Sequence, residues 1–291
     1  MPHAALNGVE LYYESTGDGL PLVFCHEFAS DYRGWDPQVR AFARLYRCVT
    51  YSQRGFPPSS VPGDPEAYSQ DLLIGDLLAL LDHLGIERAH LVGFSMGGNV
   101  VLNFALRYPE RCRSIVLIGT GAGTVNRERF ERDIERTVQL LRSASMREFA
   151  DTYGRGPTRL PFLRKDPHGW TVFRDQLAEH SAVGQALLML GVMLRRPAIY
   201  ALEERVRGMP VPTLIVCGDE DEPCLEPALF LKRTIPSAGL MIVPQTGHAV
   251  NLEEPSWLNA ALAEFFRLVE ADRWPVRAEV SSSMLPPDQR G

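Results

Sequence analysis

The stretch LVGFSMGGN, residues 91–99, sets a Ser between two Gly, after an apolar run and ahead of further Gly. Ala89–Phe94 is short and almost wholly apolar, which reads as a buried strand. From Met96 onward, Val100, Val101, Phe104 and Ala105 fall at helical spacing, and Pro109 marks the stop. Strand must therefore become helix within about two residues, and so sharp a turn strains its apex and needs Gly on either side. Gly93-Phe94-Ser95-Met96-Gly97 has the Gly-x-Ser-x-Gly spacing that lifts a Ser hydroxyl above the edge of a sheet. A Gly/Ser turn without chemistry is the competing reading.

Outward from this turn, strands and helices alternate. LNGVELYYES, residues 6–15, reads as a β-hairpin turning at Asn7-Gly8. PLVFCH reads as strand, Trp35–Tyr46 as helix and YRCVTYS as strand. Leu73, Leu77, Leu80, Leu81 and Leu84 form one apolar helix face closed by Gly85. SIVLIGT, TLIVCGD and LMIVPQ are further strands, with helices at Pro227–Thr234 and Ser256–Glu270. Apolar strands alternating with helices predict an α/β fold, a mostly parallel central sheet covered on both faces.

Between Thr124 and Gly208 no strand pattern is found. Phe130, Ile134, Val138 and Leu141 share one helical face, and the Leu/Met-rich GQALLMLGVML follows. This segment holds 15 Lys and Arg against 11 Asp and Glu, which leaves −10 on the rest of a chain whose net charge is −6. It reads as a helical insertion over the sheet's C-terminal edge, its Leu/Met stripe serving packing before ligand. The polar, Pro-containing end, EVSSSMLPPDQRG, reads as disordered.

With 45% apolar and 23% charged residues, the 291-residue composition is that of a soluble globular protein. The negative charge and the lack of basic runs speak against nucleic-acid binding. No apolar run approaches the ~18 residues of a membrane span. The N-terminus lacks the basic start and apolar stretch of a secretory leader. Of five Cys, Cys25, Cys48 and Cys217 lie in expected strands, and no spacing resembles a zinc site. A reduced, cytoplasmic protein is the expectation, with no metal and no cofactor.

In an open parallel sheet, ligands bind beyond the C-terminal ends of the strands. Those ends carry His26-Glu27-Phe28, Gln53-Arg54-Gly55, Ser95, the acid-free Gly119–Gly123, Asp219-Glu220-Asp221 and Gly247-His248. A Ser, a carboxylate and a His thus emerge on one edge from three strands. A Ser hydroxyl is a poor nucleophile until a base takes its proton, and the base needs a carboxylate to fix its tautomer.

The motifs GFSMGG, CGDEDEP, QTGHAVNLEEP and the diverged HEFAS and QRGFPPSS resemble those of capped α/β-hydrolase fold enzymes, over about Leu6 to Val269. The resemblance implies a core of residues 1–123 and 209–271, a helical cap over 124–208 and a tail over 272–291. It implies Ser95 as nucleophile, His248 as general base and Asp221 as the acid, with Asp219 as competitor. An acid after SIVLIGT, an alternative position in such folds, is missing. The oxyanion hole would use the backbone N–H groups of Met96 and Phe28, and His26 would order that loop.

Three positions depart from the family. Glu27 stands where Gly is usual, so a φ > 0 there would be strained. Its carboxylate enters the cleft, faces solvent or pairs with a nearby Arg. Pro57 replaces the second Gly of the RGxGxS turn, and Ser52 stands where Asp is common; Arg54 reads as a tie between loops. A Ser rather than an Asp nucleophile argues against dehalogenase and epoxide-hydrolase chemistry. The expectation is therefore a serine hydrolase of small-molecule carboxylic esters or lactones. Hydrolysis of a vinylogous diketone C–C bond, cofactor-free perhydrolysis, or a slow small-molecule receptor of the same fold are the alternatives.

Overall fold

A computed structural model describes residues 2–277. Eight strands form one sheet in the order β1-β2-β4-β3-β5-β6-β7-β8. They are β1 (His3–Leu6), β2 (Val9–Thr16), β3 (Leu20–Cys25), β4 (Tyr46–Tyr51), β5 (Ala89–Phe94), β6 (Cys112–Ile118), β7 (Thr213–Gly218) and β8 (Ala238–Val243). β1 and β2 form the hairpin, with Asn7 and Gly8 both at positive φ, and β2 lies antiparallel to β4. From β4 to β8 every pairing is parallel.

The strands are continuously apolar because helices cover both faces. On one face Phe24, Val92 and Val116 pack with Phe42 of α1 (Asp36–Phe42) and Phe266 near the chain's end. On the other, Val23, Leu91 and Leu117 meet α2 (Gln70–His83) and α3 (Met96–Arg107). Leu73, Leu77, Leu80 and Leu81 of α2 are fully buried, each worth roughly 1.5–3 kcal/mol relative to exposure. Ser69 caps the helix by accepting from Leu72 N–H, and Gly85, at φ +65°, ends it.

Between β6 and β7 the chain is helical: α4 (Arg127–Ser143), α5 (Met146–Tyr153), α6 (Leu160–Lys165), α7 (Pro167–Leu177), α8 (Ala182–Leu188) and α9 (Glu203–Arg207). The Leu/Met stripe packs inward, with Leu188, Met189, Val192 and Met193 in the core. Then come α10 (Glu222–Thr234), α11 (Val250–Glu253) and α12 (Pro255–Glu270).

Two helices differ from the sequence reading. The expected helix from Trp35 to Tyr46 is a single 3-10 turn, Tyr32–Trp35, followed by α1, and Tyr46 opens β4. Buried Trp35 and the Tyr46 ring, 5.7 Å from Phe266, are claimed by core packing rather than by one helix face. The helix expected from Pro227 begins at Glu222, because Pro223 suits a first turn where its missing N–H costs nothing. Asp221 is thereby the residue before the helix.

Of the tail expected from residue 272, Trp274 and Arg277 are tied to the body. Trp274 donates from Nε1 to Ser237 O at 2.6 Å, and Arg277 Nη2 donates to Ile235 O at 2.7 Å. Residues 278–291 of that expectation lie outside the described residues. Among the described residues no helix is long and apolar enough to cross a membrane. All five Cys are buried free thiols.

Candidate active site

Ser95 occupies the turn between β5 and α3 with φ 52° and ψ −108°, a strained conformation for a residue with a Cβ. Three glycines permit the turn. A Cβ on Gly93 would meet the backbone of Gly97 and Gly98, one on Gly97 would run into the carbonyls of Cys25 and His26, and one on Gly98 into Thr120. The Ser95 N–H donates to Ile118 O of β6 at 2.8 Å. Helix α3 therefore starts against the C-terminal ends of both β3 and β6.

Asp221 and His248 meet as the sequence suggests. His248 Nδ1 lies 2.6 Å from Asp221 Oδ2, both residues being buried. Asp221 precedes α10 yet makes no capping bond, its carboxylate being engaged by the imidazole. Asp219, the competitor, is exposed and accepts from Thr246 N–H at 3.1 Å, away from the ring. Gly119, at φ +50°, roofs the pair: a Cβ there would sit 3.1 Å from both Asp221 Oδ2 and His248 Nδ1. Gly119→Ala should therefore lower activity more than stability. The backbone strain costs about 1 kcal/mol, while displacement of the ring by a few tenths of an ångström is expected to cost at least tenfold in kcat/KM. Thermal melts run beside kinetics check this.

His248 packs against Phe94, the residue before Ser95, with ring centroids 5.0 Å apart. The Ser95 hydroxyl makes no hydrogen bond to the ring in this structure, so the Asp–His half of the site is closed and the Ser–His half is open. Catalytic hydrogen bonds are often long without substrate and tighten on binding.

The loop after β3 is built around His26. Gln53 N–H donates to its Nε2 at 2.9 Å, so the ring hydrogen is on Nδ1, which donates to Glu27 O at 2.7 Å. Burial lowers the His26 pKa to about 4, which keeps the ring neutral. His90 in β5 is likewise buried and lowered to about 3. In the unfolded chain both bind a proton near pH 6.5. As pH falls from about 6.5 to 4 the unfolded state takes up protons that the fold refuses, so stability falls with pH across that window. His26 alone accounts for about 3 kcal/mol. Thermal melts from pH 7 to 4 should show this slope, and His90→Gln should flatten part of it.

Phe28 and Met96 are buried, and neither backbone N–H donates to another group among the described residues. One unengaged amide thus directly follows Ser95, and the other lies in the loop after β3. Glu27 has negative φ, so replacing the usual Gly brings no backbone strain.

The Glu27 side chain is buried and paired. Arg159, between α5 and α6, grips it with both guanidinium nitrogens: Nη1–Oε1 is 2.8 Å, and Nη2 donates to Oε2. Burial pulls the Arg159 pKa down, but the Glu27 carboxylate outweighs this and holds it above its ordinary value. Glu27 Oε2 also lies 4.0 Å from His248 Nε2. Arg159 is the residue that sequence reasoning missed. It lies in a segment without strands, 132 positions from Glu27, and only the presence of an acid where Gly is usual hinted at it.

Asp221, Cys224 and His248 offer ligand atoms within 4.8 Å of one another. Burial raises the Cys224 thiol well above its ordinary range, and the thiol donates to Gly119 O at 3.3 Å. A metal would need that thiol deprotonated and the Asp–His bond broken, so the three read as a hydrogen-bonded cluster. Arg54 binds Asp76 through Nε and Nη2, both at 2.6 Å, and ties the turn to α2.

Known proteins resemble this chain over most of its length. The 3-oxoadipate enol-lactonase 2 of Acinetobacter baylyi is 27% identical over 87% of this chain and 92% of its own. The 2-hydroxymuconate semialdehyde hydrolase of Pseudomonas sp. strain CF600 is 28% identical over 91% of this chain and 92% of its own. The structure of a thermophilic esterase from Thermogutta terrifontis, with malate bound, matches with a TM-score of 0.81 and 27% identity over 92% of this chain and 99% of that one. The family model described as alpha/beta hydrolase fold matches residues 21–255. With the sheet order, the Ser95 turn and this match in agreement, the chain belongs to the alpha/beta hydrolase fold family.

Proposed function

We propose that this chain is a serine hydrolase of small-molecule carboxylic esters or lactones. Ser95 is the nucleophile, His248 the general base, and Asp221 the carboxylate that orients the base. The reading rests most on the buried 2.6 Å bond between Asp221 and His248 Nδ1. That bond leaves Nε2 as the nitrogen free to take the Ser95 proton.

Attack by Ser95 on the acyl carbon gives a tetrahedral oxyanion, received by the Met96 and Phe28 amides. His248 protonates the leaving alcohol, and an acyl-enzyme remains. It then activates water, and the acid departs as Ser95 recovers its proton. Helices α4 to α9 act as the cap, and the acyl and alcohol groups lie between them and the sheet edge. The enol-lactonase and esterase relatives support acyl–oxygen cleavage, and the hydrolase relatives in general support a hydrolase.

The test is labelling by a fluorophosphonate probe together with turnover of short esters, lactones and dienoic diketones. Labelling that Ser95→Ala abolishes, with fast ester or lactone turnover, is the expected result. Labelling with negligible turnover across the panel would favour a receptor and overturn the reading.

A further inference from the structure

Seven charged or titratable groups lie around the His248 ring and its loop. Asp221, ahead of α10, holds Nδ1 at 2.6 Å. Glu27 of the β3 loop stands 4.0 Å from Nε2. Arg159, ahead of α6, grips Glu27 from behind. Cys224 of α10 lies within 4.8 Å as a neutral thiol. Tyr153 of α5 shares a side-chain hydrogen bond with Arg159, and burial raises its hydroxyl pKa, so it stays neutral as well. Glu253 of α11 accepts from Gly247 N–H at 2.9 Å and Ala249 N–H at 3.0 Å, with Lys165 3.8 Å away. Of these, Glu27 is the charge on the Nε2 side, where the proton must move.

The same piece of the helical insertion touches both halves of the site. Thr158 O accepts the His248 backbone N–H at 2.8 Å, and the next residue, Arg159, binds Glu27 between His26 and Phe28. The guanidinium lies over the rings of Phe173 at 5.2 Å, Tyr153 at 5.9 Å and Phe94 at 6.0 Å, which fix it from three sides. A carboxylate alone at 4.0 Å from Nε2 would favour the imidazolium. A guanidinium alone there would suppress the imidazolium that must form during acylation.

We propose that Glu27 and Arg159 are a pair of positioning residues with balanced charge, which set the proton affinity of His248 and hold its loop in register with the loop after β3. This inference rests on the serine-hydrolase reading for its kinetic meaning, though not for its geometry. Glu27 raises the affinity of Nε2 for a proton and Arg159 lowers it.

The pair's charges make opposite demands on the pH profile. In Glu27→Gln the acid limb of kcat/KM, which reports the free enzyme's base, should move down by about one pH unit. In Arg159→Met it should move up by about the same amount. The double variant Glu27→Gln/Arg159→Gln should return the midpoint to near wild type with kcat still reduced, because charge balance is restored while the join is lost. Glu27→Asp keeps the pair and withdraws the charge, and it should give a smaller downward shift; it carries the test if Glu27→Gln fails to fold. Midpoints that stay put in the folded variants, or move the same way in both single variants, overturn the proposal.

The same shifts should appear in an NMR titration of the His248 imidazole made in the Ser95→Ala background. That titration does not depend on catalysis. A chain that hydrolyses nothing but shows the opposed shifts would sink the hydrolase reading alone. A chain that hydrolyses esters without them would sink this inference alone.

Discussion

Ser95→Ala should lower turnover of whichever ester or lactone proves best by about 10⁶, with the protein still folded. The hydroxyl is all that is removed, and the nearby Cys224 is no substitute nucleophile, being pinned to Gly119 O with its thiol pKa raised well above the ordinary range. The fold should not suffer, since the Ser95 backbone N–H, not its side chain, ties the turn to Ile118 O. Ser95→Gly separates function from strain. It should be just as inactive, yet melt higher, because Gly accepts φ 52° that a residue with a Cβ holds at a cost of about 1–3 kcal/mol. Burst kinetics and thermal melts on the two variants test both statements. Retained turnover in Ser95→Ala would remove the nucleophile assignment.

The second large effect belongs to the acid. Asp221→Asn should reduce kcat by about 10⁴ while leaving the geometry intact. The amide preserves shape at the 2.6 Å contact, but it cannot stabilise an imidazolium and can present N–H to Nδ1, which puts the ring hydrogen on Nε2, the atom that must accept the Ser95 proton. Asp219→Asn should stay within about a factor of two of wild type, since Asp219 is exposed and supports only the Thr246 amide. The reverse ranking in steady-state kinetics would exchange their roles.

The fold was legible because burial on both faces writes itself as uninterrupted apolar runs. Ala89–Phe94 reads as strand for the same reason that every one of its residues is buried. The hairpin was legible through Asn7-Gly8, whose positive φ values only such a pair tolerates easily. Helix boundaries were less so. Trp35 and Tyr46 fit a helical period, yet each is drawn into the core by contacts with residues distant in sequence, and periodicity carries no information about those. At the candidate site, Ser95, Asp221 and His248 could be named because each follows a strand. The partner of Glu27 could not, because Arg159 follows a helix in the insertion and the pairing depends on how that insertion docks.

The join between Thr158–Arg159 and the two loops beneath bears on how this architecture can be recombined. The helical segment between β6 and β7 is a contiguous piece that can be exchanged between homologues. Here a transplanted cover lacking an Arg at that place would strand Glu27, and a scaffold with Gly in place of Glu27 would strand Arg159. Chimeras made at the boundaries of the insertion should therefore fail unless residue 27 travels with the graft, so the inherited module is discontinuous and includes one amino acid 132 positions upstream of Arg159.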